Sequence, residues 1–210
     1  MATSQGLAGS SREGVRARGP RVYARGDEPH RGAAVNVRIL TVADAAALVA
    51  LRRRALEDTP LAFASSLEDD GAFTEAFQRE ALGDLARQIA LGAFEGDALV
   101  GMAVAVRPSK LKRRHVADIF AMYVAPEARG RGAGRALLRA AIAAARGWEG
   151  VSKVMLSVSS SQPAAHQLYR SEGFREWGFE ADALRWEGQR VDEHHLALDL
   201  GEILPGEGVD

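Results

Sequence analysis

The chain has 210 residues, of which 47% are apolar and 26% are charged, a size and composition that fit one globular domain with a single core. Its 27 basic side chains nearly balance its 28 acidic ones, and the formal net charge is -1. This balance excludes a global field that would draw the protein onto nucleic acid or anionic lipid. Because the chain contains no cysteine, disulfides, thiolate metal sites and cysteine nucleophiles are also excluded.

The two ends of the chain differ in composition from the middle. Residues 1–34 are rich in Arg, Gly and Ser and predict a disordered extension, and residues 201–210 predict a flexible tail. One domain is therefore expected over residues 36–200. A basic extension could contact RNA, but this is the weaker hypothesis, so nucleic acid is not an expected partner.

The sequence shows neither a membrane-spanning segment nor a signal peptide. No apolar run approaches the roughly 20 residues that a spanning helix needs, and the N-terminus lacks the apolar stretch of a signal peptide. We therefore expect a cytoplasmic protein with no membrane partner.

The first predicted elements are a strand and a helix. Residues 35–40 alternate between apolar and polar side chains, as a strand does. Thr41 followed by Asp44 resembles a capping box that opens a helix, and Pro60 closes it. After a loop, residues 61–71, which could line a pocket, a second helix is predicted to begin near Thr74, with its apolar face formed by three residues: Phe77, Ala81 and Leu85.

Three strands are predicted next. Residues 88–94 and 98–106 are apolar runs on either side of Glu95, Gly96 and Asp97, which is the turn chemistry of a hairpin. Residues 116–124 form a third run, apolar enough to predict a central strand buried on both faces.

A glycine-rich loop follows this third strand. Gly130, Gly132 and Gly134 alternate directly before an amphipathic helix that Gly147 ends. A helix start has about four unpaired N–H groups with partial positive charge, and glycines let several of them converge on one anion. The loop therefore predicts a phosphate site, to which three flanking cations, Arg129, Arg131 and Arg135, would add charge.

Two common nucleotide motifs do not match this loop. A Walker loop needs Lys and then Ser or Thr after its last glycine, where this chain has Arg135 and Ala136. A dinucleotide fingerprint needs the spacing G-x-G-x-x-G and an acidic residue at the end of the next strand, which here runs into three serines.

The loop does match the pattern R-x-x-G-x-G, carried by Arg129, Gly132 and Gly134 after "MYV", and residues 156–174, "LSVSSSQPAAHQLYRSEGF", end in L-Y-x-x-x-G-F. Both motifs resemble those of the GCN5-related N-acetyltransferases, over about residues 36–200. The resemblance implies an α/β (α+β) fold, with a mixed, mainly antiparallel sheet of six to seven strands, a splayed central strand and helices on both faces. It also implies acetyl-CoA as co-substrate and acetyl transfer to a primary amine, of a small molecule or a protein, by direct attack on the thioester. The alternative is a non-catalytic acyl-CoA-binding module of the same fold.

The resemblance also implies the site. Tyr169 would be the general acid that protonates the leaving thiolate, although it could also be a core tyrosine, and Asp118 is the first candidate for the base. Gln162 stands where the family usually has Asn. The expected acetyl-CoA contacts are Met122, Tyr123, Val124, Arg129, Gly130, Arg131, Gly132, Ala133, Gly134, Arg135, Gln162, Ala165 and Tyr169.

Other candidates for the base are held in reserve: His115, Glu193, His194 and His195. The alternation of "EHHLALDL" places His194 on the face of Leu196 and Leu198, which favours a core imidazole. The spacing of histidines and carboxylates predicts no metal site. The acceptor amine is not predicted, and a strand edge or the C-terminal hairpin could mediate a homodimer.

Overall fold

The computed structural model describes residues 35–201. The predicted N-terminal extension and nearly all of the predicted C-terminal tail lie outside these residues. No helix within this range is long and apolar enough to cross a lipid bilayer.

Seven strands and four helices make up the described domain. The strands are β1 (Asn36–Ile39), β2 (Gln88–Glu95), β3 (Ala98–Val106), β4 (Val116–Val124), β5 (Lys153–Ser159), β6 (Arg175–Trp186) and β7 (Gln189–Asp199). The helices are α1 (Ala45–Asp58), α2 (Glu75–Gly83), α3 (Ala133–Arg146) and α4 (Pro163–Ser171). The strands form one sheet in the order β1-β2-β3-β4-β5-β7-β6. Only the β4–β5 pair of this sheet is parallel, so the predicted mixed, mainly antiparallel fold is confirmed.

The predicted capping box opens the first helical segment. The Thr41 amide donates to Asp44 Oδ2 at 2.8 Å, and the Arg38 guanidinium donates to both oxygens of the same carboxylate at 2.7 and 2.8 Å. A 3-10 turn, Val42–Asp44, then leads into α1, which ends two residues before Pro60. The local signals therefore predicted this segment correctly.

The prediction for α2 was right about its start and wrong about its face. Thr74 caps the helix through a hydrogen bond from the Phe77 amide to its hydroxyl. However, Phe77 is 50% exposed, whereas Leu82 and Gln78 are buried. Gln78 can be buried because its side-chain amide donates to the Ala72 carbonyl at 2.9 Å, so its polar group is satisfied.

The β2–β3 hairpin is confirmed and lies between β1 and β4 in the sheet. Its turn contains Gly96 at φ +60°, a backbone conformation that side chains disfavour. Residues 100–103 of β3 are buried without alternation, so both faces of the sheet are covered there. α3 packs against β2, β3 and β4 and contributes Leu137 and Leu138 to the core with no exposed surface.

The strand β4 departs from the prediction that it is buried on both faces. It pairs with β5 only over Val116–Asp118, opposite Lys153–Met155, and beyond these residues the two strands separate. Phe120, just past the separation, is 56% exposed. β4 also bulges against β3, where Ala121 has φ +51°, and a bulge bends a strand locally. The expected splay of the central strand is therefore present.

Candidate functional site

The gap between β4 and β5 opens into a cavity of about 750 Å³. β3 occupies one hydrogen-bonding edge of β4. From residue 119 onward, the edge that faces β5 has no strand partner among residues 35–201. Backbone N–H and C=O groups on such an edge are free to bind a ligand that enters the gap. The splay thus leaves an open hydrogen-bonding edge of a central strand at the cavity.

Most of the predicted site residues line this one cavity. They come from the end of β4, the glycine loop and α4: Met122, Tyr123, Val124, Arg129, Gly130, Gly132, Ala133, Gly134, Arg135, Gln162, Ala165 and Tyr169. Two predicted residues, Arg131 and Asp118, do not line it.

The glycine loop has the backbone geometry of an anion site. Gly130 and Gly132 have φ of +75° and +85°, and α3 begins directly after them. The amides of residues 130–135 donate to no other residue within the described part of the chain. The next amide along the chain, that of Ala136, is the first to be bonded, and it donates to the Gly132 carbonyl at 3.0 Å. Six consecutive unpaired donors at a helix start favour a bound diphosphate.

The three arginines that flank the loop are already paired with protein groups. Arg129 donates from Nε to the Val124 carbonyl at 2.9 Å and from Nη2 to the Asp58 carboxylate. Its guanidinium also lies 5.6 Å from the Tyr123 ring centroid.

The other two flanking arginines bind glutamates. Arg131 donates to Glu95 at 3.0 Å, and Arg135 pairs with Glu172 at 3.1 Å. All three arginine side chains are about half exposed. They therefore hold the loop against its neighbours and leave the backbone amides as its unpaired donors.

Tyr169 is a buried phenol at the wall of the cavity. Its side chain is 6% exposed, and its hydroxyl has no hydrogen-bond partner among residues 35–201. Burial raises the pKa of Tyr169 to about 12, because a buried phenolate loses its hydration. The group is therefore a protonated donor over the physiological range of pH.

Asp118 lies apart from Tyr169. It lines a smaller cavity of about 80 Å³ with Trp177 and His195, and its carboxylate is 3.6 Å from Arg113. Burial raises the pKa of Asp118, and the charge of Arg113 opposes this shift. The two cavities share three wall residues, Phe120, Leu156 and Ser157, so they adjoin each other.

Glu193, one of the reserve candidates, lines the large cavity instead. It lies on β7 opposite Ser159 of β5. Burial raises the pKa of Glu193, while His195 lowers it and Glu180 raises it. Sequence position could not place this carboxylate at the cavity, because its location depends on the pairing of β7 with β5.

The histidines of β7 face different groups. His195 shares a hydrogen bond of 2.8 Å with the Ser157 hydroxyl through Nδ1, and its Nε2 is 3.3 Å from Glu180. His194 Nδ1 is 3.1 Å from Glu176, and its ring stacks on that of His166. The expectation of a core imidazole at position 194 is corrected in one respect: its side chain is 23% exposed and pairs with a carboxylate.

Two groups of histidine and carboxylate side chains come together only in the folded chain. They are His166, Glu176 and His194, and Glu180, Glu193 and His195, with ligand atoms within 4.8 Å of one another in each group. In the first group the two imidazole planes are nearly parallel, at 18°, whereas one ion bound by both rings must lie in both planes. This orientation does not suit a shared ion, and the absence of a metal stays a prediction.

The start of α4 lacks the Asn that the family usually has there. Gln162 occupies the N-cap position and makes no side-chain capping bond, and Pro163 takes the first helical position, where a missing N–H costs nothing. The preceding loop is held by serines instead, with the Ser161 amide donating to the Ser159 hydroxyl at 3.2 Å. The Gln162 side chain therefore remains at the cavity wall.

Comparison with known proteins agrees with this geometry. The family model described as Acetyltransferase (GNAT) family matches residues 49–174. The acetyltransferase of GNAT family from Streptococcus pneumoniae is 26% identical, with a TM-score of 0.70, over 79% of this chain and 99% of that one. A putative acetyltransferase from Salmonella typhimurium, solved with its cofactor acetyl-CoA, is 25% identical, with a TM-score of 0.70, over 80% of this chain and 95% of that one.

A shorter match links the chain to curated enzymes. The mycothiol acetyltransferase of Thermobispora bispora is 42% identical over 62 residues, which are 30% of this chain and 21% of that protein. The chain thus spans about a fifth of the length of the curated relatives it matches. Since the family model covers more than half of the chain and the splayed sheet, the glycine loop and the cavity agree with it, the protein belongs to the GNAT family of acetyltransferases.

Proposed function

We propose that the protein is an acetyl-CoA-dependent N-acetyltransferase that acetylates a primary amine, on a small molecule or a protein, by direct attack on the thioester. The observation that carries the proposal is the continuity of one cavity, which joins six unpaired loop amides, the free edge of β4 and the buried phenol of Tyr169. A diphosphate, an extended amide-containing arm and a leaving thiolate each have a matching group along it.

The loop amides and the β4 edge would hold the co-substrate. Donors at residues 130–135 suit the diphosphate, and the backbone of residues 122–124 suits the arm and the thioester carbonyl. Donors that are fixed before the reaction stabilise developing negative charge without reorganisation, and the loss of one such donor costs about 3 kcal/mol in other enzymes. Acetyl-CoA supplies the acetyl group and a thiol leaving group.

Two proton transfers remain for side chains. Tyr169 would donate its phenolic proton to the leaving sulfur, since burial keeps the phenol protonated. Glu193 would accept the proton that the amine loses, directly or through water, because it lines the same cavity as Tyr169. As the N–C bond forms and the C–S bond breaks, one proton passes to the carboxylate and one to the sulfur. Asp118 is the alternative base, reached from the smaller cavity.

The names of the relatives do not agree on one acceptor. The mycothiol acetyltransferases match only 62 residues of this chain, and an acceptor pocket is built from several separate segments. No acceptor is therefore carried over from these relatives.

The test has two measurements on the same preparation. Titration calorimetry should detect acetyl-CoA binding in the micromolar range. A panel of primary amines should then release CoA thiol, which a thiol reagent reports without background because the chain contains no cysteine, and mass spectrometry identifies the acetylated amine. Binding without release by any amine would favour the non-catalytic module. Folded protein that does not bind acetyl-CoA would contradict the proposal.

A further inference from the structure

A further charged group lines the large cavity, on a part of the fold remote in sequence from the glycine loop. Arg52 lies on α1, and its side chain is only 13% exposed. Thr59, Phe63 and Ser65, from the segment that follows α1, line the cavity beside it. No sequence motif singled out this arginine.

Two contacts hold the Arg52 guanidinium in place. Its Nε donates to Asp70 Oδ2 at 2.7 Å, and the Asp70 side chain is 7% exposed. The other Asp70 oxygen accepts from the Ala72 amide at 3.0 Å, which fixes the carboxylate. On its flat side, the guanidinium lies 4.8 Å from the Phe63 ring centroid. Its position is therefore set before any ligand arrives, which lowers the entropic cost of binding one.

The end of the guanidinium remains unpaired. Of its five N–H donors, only the one on Nε has an acceptor among the described residues. Fully enclosed side-chain nitrogens without a partner occur in the described region at Arg107 and His166 and not at Arg52. The Arg52 amino groups are therefore not sealed off from solvent, and Arg52 is one of the residues that line the cavity. By contrast, Arg135 uses its two amino groups on Glu172 and Ser171.

We propose that Arg52 binds a carboxylate group of the acceptor, so that the preferred acceptors are small primary amines that carry a carboxylate, such as amino acids. This inference rests on the proposed N-acetyltransferase function. Two parallel N–H donors match a carboxylate in bidentate geometry. Glu193, of opposite charge, lines the same cavity, so the site presents one group for the carboxylate and one for the amine of such an acceptor.

The experiment compares acceptors with and without the carboxylate, such as leucine with isoamylamine and phenylalanine with phenethylamine. The kcat/KM of each is expressed per neutral amine, because an α-carboxylate also lowers the pKa of the amine. For the unmodified protein, kcat/KM is expected to be at least tenfold higher for the amino acid of each pair. Arg52→Gln should bring this ratio close to one. Arg52→Lys keeps the positive charge but lacks the two parallel N–H donors, so it should give an intermediate ratio. Arg54→Gln is the control, because Arg54 is on the same helix, pairs with Glu127 and does not line the cavity; its ratio should equal that of the unmodified protein.

Two further measurements separate loss of carboxylate binding from unfolding of the variant and from loss of acetyl-CoA binding. Arg52→Gln leaves the buried Asp70 without its partner and could unfold the chain, so Arg52→Gln with Asp70→Asn provides a second variant without either charge. The KM for acetyl-CoA should be unchanged in both; a rise of tenfold or more would mean that Arg52 binds a CoA phosphate and would overturn the inference. Equal rates with both members of each pair in the unmodified protein would also overturn it, and would leave the acetyltransferase proposal intact. Absence of CoA release with every amine would instead overturn the proposed function.

Discussion

The Arg129 side chain donates from Nε to the carbonyl oxygen of Val124 at 2.9 Å, and so joins the first residue of the glycine loop to the last residue of β4. The same guanidinium binds Asp58 at the end of α1. The glycine loop, β4 and α1 are thus linked through one side chain. We therefore propose that the arginine at the first position of the R-x-x-G-x-G motif positions the loop.

Replacing Arg129 should therefore weaken acetyl-CoA binding through the loop. A hydrogen bond of this kind contributes about 1 kcal/mol net, so Arg129→Ala is expected to raise the dissociation constant of acetyl-CoA about fivefold in titration calorimetry. Arg131→Ala is the matched control, because Arg131 flanks the same loop, pairs with Glu95 and does not line the cavity. Equal effects of both variants would contradict a positioning role for Arg129.

The left-handed backbone at Gly132 leads to a second prediction. Gly132→Ala places a side chain at φ +85°, which costs roughly 1–2 kcal/mol for a non-glycine residue and favours a loop with rearranged amides. We expect the KM for acetyl-CoA to rise about tenfold. Gly150→Ala carries similar strain at φ +75° with equally open surroundings, but lies outside the cavity, so it should lower stability without changing this KM.

Tyr169→Phe tests the general acid. Loss of a positioned proton donor is expected to lower kcat about 100-fold, with the KM for acetyl-CoA unchanged. Tyr123→Phe removes a phenol hydroxyl that donates to Asp58 at 3.3 Å and should lower kcat far less. An unchanged kcat in Tyr169→Phe would show that the tyrosine is structural.

The alkaline side of the pH profile provides an independent check on Tyr169. An acid acts only while it is protonated, and burial raises the pKa of Tyr169 to about 12. The kcat of the unmodified protein should therefore show no decline below pH of roughly 11 from this group. A decline in kcat between pH 8 and 10 that disappears in Tyr169→Phe would contradict this expectation.

Glu193→Gln and Asp118→Asn distinguish the two candidate bases. A base acts only when deprotonated, and burial raises the pKa of Glu193 above its ordinary value, so kcat/KM should rise with pH through that higher pKa. Glu193→Gln is expected to lower kcat/KM by about 100-fold and to remove this acidic limb, whereas Asp118→Asn should keep it. The reverse result would assign the base to Asp118.

The capping box at the start of the domain leads to a stability prediction. The hydrogen bond from Arg38 is the largest cause of a lowered pKa of Asp44. Because the folded pKa lies below the unfolded value of about 3.9, the carboxylate stabilises the fold above that pH, and this contribution is lost as the pH falls below it. Asp44→Ala should cost about 1 kcal/mol in urea unfolding at pH 7, and less at pH 3. Asp97→Ala, in the exposed hairpin turn, should change stability little at either pH.

Much of this site could be predicted from the sequence because its signals are local. Alternating glycines before an amphipathic helix require a tight turn with free amides, and the structure places them there, with α3 running from Ala133 to Arg146 and Gly147 at its end. The capping box at Thr41 and the hairpin turn at Gly96 are likewise decided by residues a few positions apart. In each case the interacting groups are neighbours in the chain, so their spacing determines their geometry.

Other features depend on partners far away in the chain, and only the tertiary structure decided them. The separation of β4 from β5 after Asp118 divides the carboxylates, so that Asp118 faces one cavity and Glu193, brought in by β7, faces the other. Arg52 is directed into the cavity by Asp70, 18 residues away, and no periodicity of α1 encodes that contact. The sequence by itself determined the glycine loop and the resemblance to the family. The packing of distant segments decided which carboxylate and which arginine line the cavity, because a side chain contributes to a site only where the fold places it.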